Sequence, residues 1–183
     1  NYDLAFINCL ADMSQVMGPG IWLNPSKNHE ALQQFVSGGG ILYVSDYALD
    51  NISVAFPGHI RFGGKGDGRA GKTTATVIDP TLRDLVGASY PINFNTIYAP
   101  VASVSDDCRI FLVRGKEPLL VSFAHGAGHV VYTSFHNGVQ VSEHEQRLLA
   151  YIILQTISLA TSTPLVELVE SNAFRVLANP RRH

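Results

Sequence analysis

The stretch GGGILYVSDYALD, Gly38 to Asp50, decides how this chain is read. The residues before it carry Ala31, Leu32, Phe35 and Val36 at helical spacing, so a helix over 28–37 is expected, with Gly38 just past its end. Ile41 to Ser45 reads as a buried strand, and Ser45-Asp46 stand where it turns into Tyr47-Ala48-Leu49. In an open α/β sheet, ligands and nucleophiles are held at the carboxyl ends of strands. Ser45 and its neighbours are therefore the first candidates for a site.

Upstream, Tyr2 to Asn8 is another apolar run, giving strand, helix, strand, a unit expected to be parallel with a right-handed crossover. Downstream, 48–56 reads as a short helix stopped by Pro57-Gly58. The middle third changes character. Gly63 to Gly71 is glycine-rich, Thr73 to Ile78 is β-branched, Pro80 to Val86 suits a turn of helix, and Pro91 and Pro100 break short strands over 90–105. Strands return at 109–114, 118–124 and 129–135, the last two flanking a hairpin turn at Gly126-Ala127-Gly128. Ser142 and Glu145 form a capping box ahead of Leu148, Leu149, Ile152 and Ile153, and Pro164 opens another short helix. That last helix carries Leu165, Val166, Leu168 and Val169, with Phe174 beyond, and is expected to dock on the domain or on a partner. The expected fold is α/β: a three-layer sandwich with a central mostly parallel sheet, an antiparallel hairpin, and a β-rich insertion over 63–105. One domain spans 1–163, and 164–183 is a helical tail.

A chain of 183 residues with 46% apolar residues can bury a full core. Only 15% of its residues are charged, against about a quarter in ordinary domains. Such a surface is either covered by neighbouring domains or a partner chain, or is neutral and rich in Ser, Thr, Asn and Gln. The net charge of −2, with no basic run longer than Arg181-Arg182, argues against nucleic acid or an anionic membrane as partner. No apolar stretch has the length of a membrane span. The chain opens on Asn1-Tyr2-Asp3 without an initiator Met, so it reads as part of something longer. Cys9 and Cys108 are far apart and lack metal-ligand spacing; a reducing, cytoplasmic compartment is expected, with a single disulfide left open.

Three constellations could carry chemistry. Gly66 to Thr73, GDGRAGKT, satisfies the phosphate-loop string, but that site needs a buried strand before it and a helix after it. The β-branched run after Lys72 argues for a glycine-rich surface loop instead. His125, His129, His136 and His144 lie close in sequence, yet no carboxylate completes a metal set, and none is expected there. The third is Ser45 with His136. Both follow apolar strands, and if these are parallel neighbours the two side chains converge at one sheet edge. A serine nucleophile needs that base, and the base needs an acid, with Asp46, Glu143 or Glu145 available. A carboxylate beside His136 would favour its imidazolium. Against this, Ser45 could simply cap the following turn.

Taken together, YDLAFINC, the helix ending in GGG, ILYVSDYA and the later GHVVYTSFHN resemble the class I glutamine amidotransferase-like superfamily, a flavodoxin-like α/β group. The resemblance places Ser45 at the family's nucleophilic cysteine, with Tyr43 and Tyr47 where its flanking glycines stand. It places Phe135-His136 at the family's histidine, with Asn137-Gly138 replacing the Pro-Glu that follows. These departures imply a non-catalytic branch. The function expected is an interaction or ligand-sensing domain of a larger bacterial-type protein or assembly, with no cofactor and no metal. Its partner would be another domain of the parent or a separate protein. A ligand at the edge would meet Asn8, Cys9, Tyr47 and Asn137. The alternative is a serine hydrolase or amidase using Ser45 and His136.

Overall fold

The computed structural model describes residues 4–8, 25–136, 148, 151–152, 154–155, 158 and 163–170. Its elements run β1 (Leu4–Ile7), α1 (Pro25–Ser37), β2 (Ile41–Ser45), a 3-10 turn (Asp46–Ala48), α2 (Leu49–Ala55), β3 (Ile60–Phe62), β4 (Gly71–Val77), α3 (Pro80–Val86), β5 (Ser89–Phe94), β6 (Val101–Val104), β7 (Arg109–Arg114), β8 (Glu117–His125), β9 (Gly128–Thr133) and α4 (Leu165–Glu170). The described residues from 148 to 158 are also helical. The capping box at Ser142 and Glu145 lies outside the described residues.

Seven strands form one sheet in the order β1-β2-β9-β8-β7-β4-β5, and β3 pairs with β6 in a separate two-stranded antiparallel sheet. Only β1 with β2 and β2 with β9 run parallel. Every pairing from β9 outward to β5 is antiparallel. The expectation of a mostly parallel sheet is therefore corrected to a mixed one. The physical reason is connection length: β7, β8 and β9 follow one another through tight turns, which permit only antiparallel pairing. The segment 63–105 supplies β4 and β5 to one edge of this sheet and β6 to the small one.

Alternation along the strands sends side chains to two apolar clusters. Leu42 and Val44 of β2, with Val130 and Tyr132 of β9, pack with Val36 of α1 and Ile52 of α2. Tyr43 and Val131 join the other cluster, with Leu82 of α3, Leu148, Tyr151 and Ile152. From the C-terminal tail, Leu165 packs against this second cluster, whereas Val166 is exposed and Phe174 lies outside the described residues.

The glycines after α1 close it with a 6→1 and 5→2 hydrogen-bond pair. The Gly40 N–H donates to the Phe35 carbonyl at 3.0 Å and the Gly39 N–H to the Val36 carbonyl at 3.0 Å. Gly39, not Gly38, takes the positive φ, at 102°. The hairpin turn between β8 and β9 has Gly126 at φ 61° and docks on this helix end, where the Ala127 N–H donates to the Ser37 carbonyl at 3.0 Å. At Gly128 an added Cβ would stand 2.2 Å from both the Gly40 and the Val36 carbonyl oxygens.

Gly128→Ala should therefore lower stability by about 2–3 kcal/mol, because two backbone segments must part. Gly115→Ala, in the open turn between β7 and β8 at φ 61°, meets no neighbour and should lose only the ~1 kcal/mol of left-handed backbone strain. Urea denaturation of both variants measures the contrast; equal losses would contradict the contact.

Candidate functional site

β2 and β9 lie side by side in register, with Ser45 opposite Thr133, so Ser45, Asp46 and His136 gather at one carboxyl edge of the sheet. The details differ from the sequence-based placement. Ser45 is the last residue of the strand, extended at φ −128° and ψ 143°, and 1% exposed. Its side chain does not cap the 3-10 turn. The residue with left-handed backbone is Asp46, at φ 47°, and no other non-glycine among the described residues shares that property. A nucleophile elbow is the sharp, strained turn between strand and helix. Here Asp46 occupies that turn, one residue beyond Ser45. Asp tolerates the left-handed region better than most residues because its short side chain bonds locally.

The Asp46 carboxyl is buried, with the residue 3% exposed. Its Oδ2 lies 3.4 Å from His136 Nδ1, and its Oδ1 has no hydrogen-bond partner among the described residues. Burial pushes this carboxyl up to about 7. The same burial holds the His136 imidazole below its ordinary value. The expectation that a neighbouring carboxylate would favour the imidazolium is thereby corrected, because desolvation disfavours charge on both partners. The contact is long for a hydrogen bond, and burial disfavours charge on both groups. His136 Nδ1 also lies 3.2 Å from Asn95 Oδ1. The backbone at the elbow is anchored separately: Tyr132 donates its hydroxyl proton to the Asp46 carbonyl at 3.2 Å.

Of the other residues named from sequence, Asn8 is exposed and Tyr47 half-buried. Tyr43 does not crowd the elbow; its ring joins the opposite cluster, and its hydroxyl meets Thr133 Oγ1 at 2.7 Å. Cys9, Asn137, Glu143 and Glu145 lie outside the described residues.

The glycine-rich loop does not build a phosphate cradle. The N–H of Gly64 donates to Asp67 Oδ2 at 2.6 Å, and those of Gly66 and Gly68 donate to the Tyr98 carbonyl at 3.2 and 2.9 Å. Those donors are therefore already engaged, and Lys72 lies on the strand β4 rather than at a helix start. His125 packs edge-on against Phe56, and His129 is half-buried on β9, opposite Ala124. His144 is outside the described residues. The ligand-type cluster that the chain does bring together was not anticipated. It consists of His59, Asp107 and Cys108, whose ligand atoms lie within 4.8 Å of one another.

No family model matches the chain, and no curated protein matches it by sequence. Solved structures share its fold. A structure described as the mmIFT52 N-terminal domain aligns over 88% of this chain and 79% of its own, at 12% identity and a TM-score of 0.58. A glutamine amidotransferase from Thermotoga maritima aligns over 97% and 74%, at 9% identity and a TM-score of 0.51. A GMP synthase-type protein from Thermoplasma acidophilum aligns over 77% and 68%, at 11% identity and a TM-score of 0.51. This chain spans 61% of the length of another chain it matches, a Salmonella typhimurium protein. At these identities the likeness establishes a distant relationship of fold to amidotransferase-like proteins.

The buried carboxyl predicts a pH signature. A carboxyl raised from 3.8 to about 7 on folding keeps its proton in the folded chain while the unfolded chain ionises. Its stabilising contribution is thus complete below pH ~4 and is lost as pH rises through about 7, a change on the order of 4 kcal/mol. Asp46→Asn, which keeps the left-handed turn, should stabilise the protein at pH 8 and change little at pH 4. Urea denaturation at both values tests this; an equal effect at the two would contradict it.

Proposed function

We propose that this chain is a non-catalytic interaction or ligand-sensing domain of a larger protein or assembly. One observation carries the reading: the elbow turn at the carboxyl end of β2 presents Asp46, and Ser45 lies behind it on the strand at 1% exposure. A hydrolytic serine must meet its substrate and hand its proton to a base. A carboxyl pushed up to about 7 is protonated for much of the time near neutrality, which suits neither a displacement by Asp46 nor orientation of His136 by a fixed negative charge.

The charge content of 15% supports a surface partly covered by neighbours, and the parent's other domains or a protein partner are the occupants we assign to it. The described residues contain no helix long and apolar enough to cross a membrane. A cytoplasmic setting in a bacterial-type parent completes the proposal.

A competing reading is a serine hydrolase or amidase using Ser45 and His136, favoured by the adjacency of β2 and β9. Reaction with a fluorophosphonate probe separates the two. Wild-type protein should remain unlabelled, as should Ser45→Ala. Wild-type labelling that disappears in Ser45→Ala would overturn the non-catalytic reading.

A further inference from the structure

Away from the β2 edge, three potential metal ligands converge where the small sheet meets the main one. His59 immediately precedes β3, and Asp107 and Cys108 lie between β6 and β7. His59 Nδ1 is 3.1 Å from Asp107 Oδ2, and one ligand atom from each of the three residues lies within 4.8 Å of the other two. The Cys108 thiol donates to the His59 carbonyl at 3.4 Å. Cys108 forms no disulfide, and its sulfur also lies 3.5 Å from Ser105 Oγ.

Two kinds of chemistry use Cys, His and Asp together. In a nucleophilic triad the acid and the thiol occupy opposite nitrogens of the imidazole, and the ring separates them. Here the carboxylate oxygen and the sulfur are within 4.8 Å of each other as well as of the ring, so the three ligand atoms cluster together. Such clustering suits coordination better than a triad.

The supporting contacts match what a ligand set needs. The His59 ring is stacked on Phe123, with centroids 4.1 Å apart and planes 8° from parallel, which fixes its orientation. Ser105 donates its hydroxyl to Asp107 Oδ1, leaving Oδ2 directed at the histidine. Such outer contacts orient metal ligands in established sites. The His59 side chain is 22% exposed and that of Asp107 57%, so an ion can enter from solvent.

We infer that His59, Asp107 and Cys108 bind one divalent ion of the zinc type, through a ring nitrogen, a carboxylate oxygen and the sulfur. A set of one nitrogen, one oxygen and one sulfur suits zinc, whereas calcium and magnesium take oxygen ligands. Tetrahedral bonds of about 2.0–2.3 Å place ligand atoms roughly 3.3–3.7 Å apart. The His59–Asp107 pair already stands at 3.1 Å, and the contacts of the Cys108 sulfur, within 4.8 Å, are the ones that must shorten. Three protein ligands leave a fourth position for water or for a group from a partner. The bound ion would clasp the start of β3 to the entry of β7.

Cobalt(II) titration of the reduced, purified 183-residue chain tests the site, with zinc as competitor. Wild type should bind one equivalent of cobalt with thiolate-to-metal charge-transfer absorption, reversed by zinc and unaffected by excess calcium or magnesium. Cys108→Ala should abolish the absorption and weaken zinc binding by at least about 100-fold. Asp107→Asn, a change at an exposed side chain, should keep the absorption while weakening zinc binding about 10-fold or more. Cys9→Ala should behave as wild type. Absence of the charge-transfer band in wild type, its survival in Cys108→Ala, or its loss in Cys9→Ala would each overturn the assignment.

Discussion

The parallel pairing of β2 with β9 is the constraint on which the rest depends. It joins the β1-β2 side of the sheet, built on a crossover through α1, to the antiparallel run from β9 to β5. Both strands are buried along most of their length, so their backbone groups must be paired with each other and with β1 and β8. A one-residue slip would turn Leu42, Val44, Val130 and Tyr132 away from their cluster and send Tyr43 and Val131 into it. A buried side-chain chain reinforces the register. Tyr43 donates to Thr133 Oγ1 at 2.7 Å, and Thr133 donates in turn to the Phe135 carbonyl at 3.0 Å. The same pairing brings the elbow and His136 to one edge.

Two buried aspartates show how differently the fold treats a carboxyl. Asp79, 4% exposed, is the N-cap of α3 and accepts from the Leu82 N–H at 2.9 Å and from the Tyr151 hydroxyl at 3.0 Å. Its other oxygen accepts from Arg109 Nε at 2.8 Å and is also bonded to Arg109 Nη2. Several donors and a cation thus replace the water that burial removed, and α3, β7 and the helical residue Tyr151 are tied at one point. Asp46 is equally buried, yet among the described residues its Oδ1 has no hydrogen-bond partner, and its Oδ2 meets an imidazole at 3.4 Å. An unpartnered polar atom at a left-handed backbone position combines two unfavourable features in one residue.

Much of the fold was legible because apolar periodicity and breakers agree along most of the chain. α3 begins at Pro80 and β7 covers Arg109 to Arg114, as their residues indicate. Strand direction was less legible. A run such as Thr73 to Val77 reads as a strand either way, and its antiparallel place beside β5 and β7 follows from contacts far away in sequence. At the site, residue types drew attention to Ser45, Asp46 and His136, and the left-handed turn falls on the second of these. A serine at a strand end resembles a nucleophile, whereas the positive φ at Asp46 is a backbone property that Asp permits but does not announce. His59 with Asp107 and Cys108 left no local signal, since the histidine and the other two lie in loops flanking different strands.

The two ends of the β2–β9 pair are held by different means. At the amino end the restraints are backbone to backbone. The Ala127 N–H donates to the Ser37 carbonyl at 3.0 Å and the His129 N–H to the Gly40 carbonyl at 3.3 Å, with Gly128 wedged where no side chain fits. None of these groups titrates near neutral pH. At the carboxyl end the restraints are side chains: the Tyr43–Thr133 bond, the Tyr132 hydroxyl on the Asp46 carbonyl, and the Asp46–His136 contact. Of these, the last pairs a carboxyl at about 7 with an imidazole held below its ordinary value, so its protonation changes within the range a cell experiences. Ionising Asp46 places a charge in a buried site whose Oδ1 has no donor among the described residues, which is unfavourable unless the carboxylate gains water. Changes of protonation near neutrality therefore act at the carboxyl edge, whereas the amino end is held by backbone groups that do not titrate there.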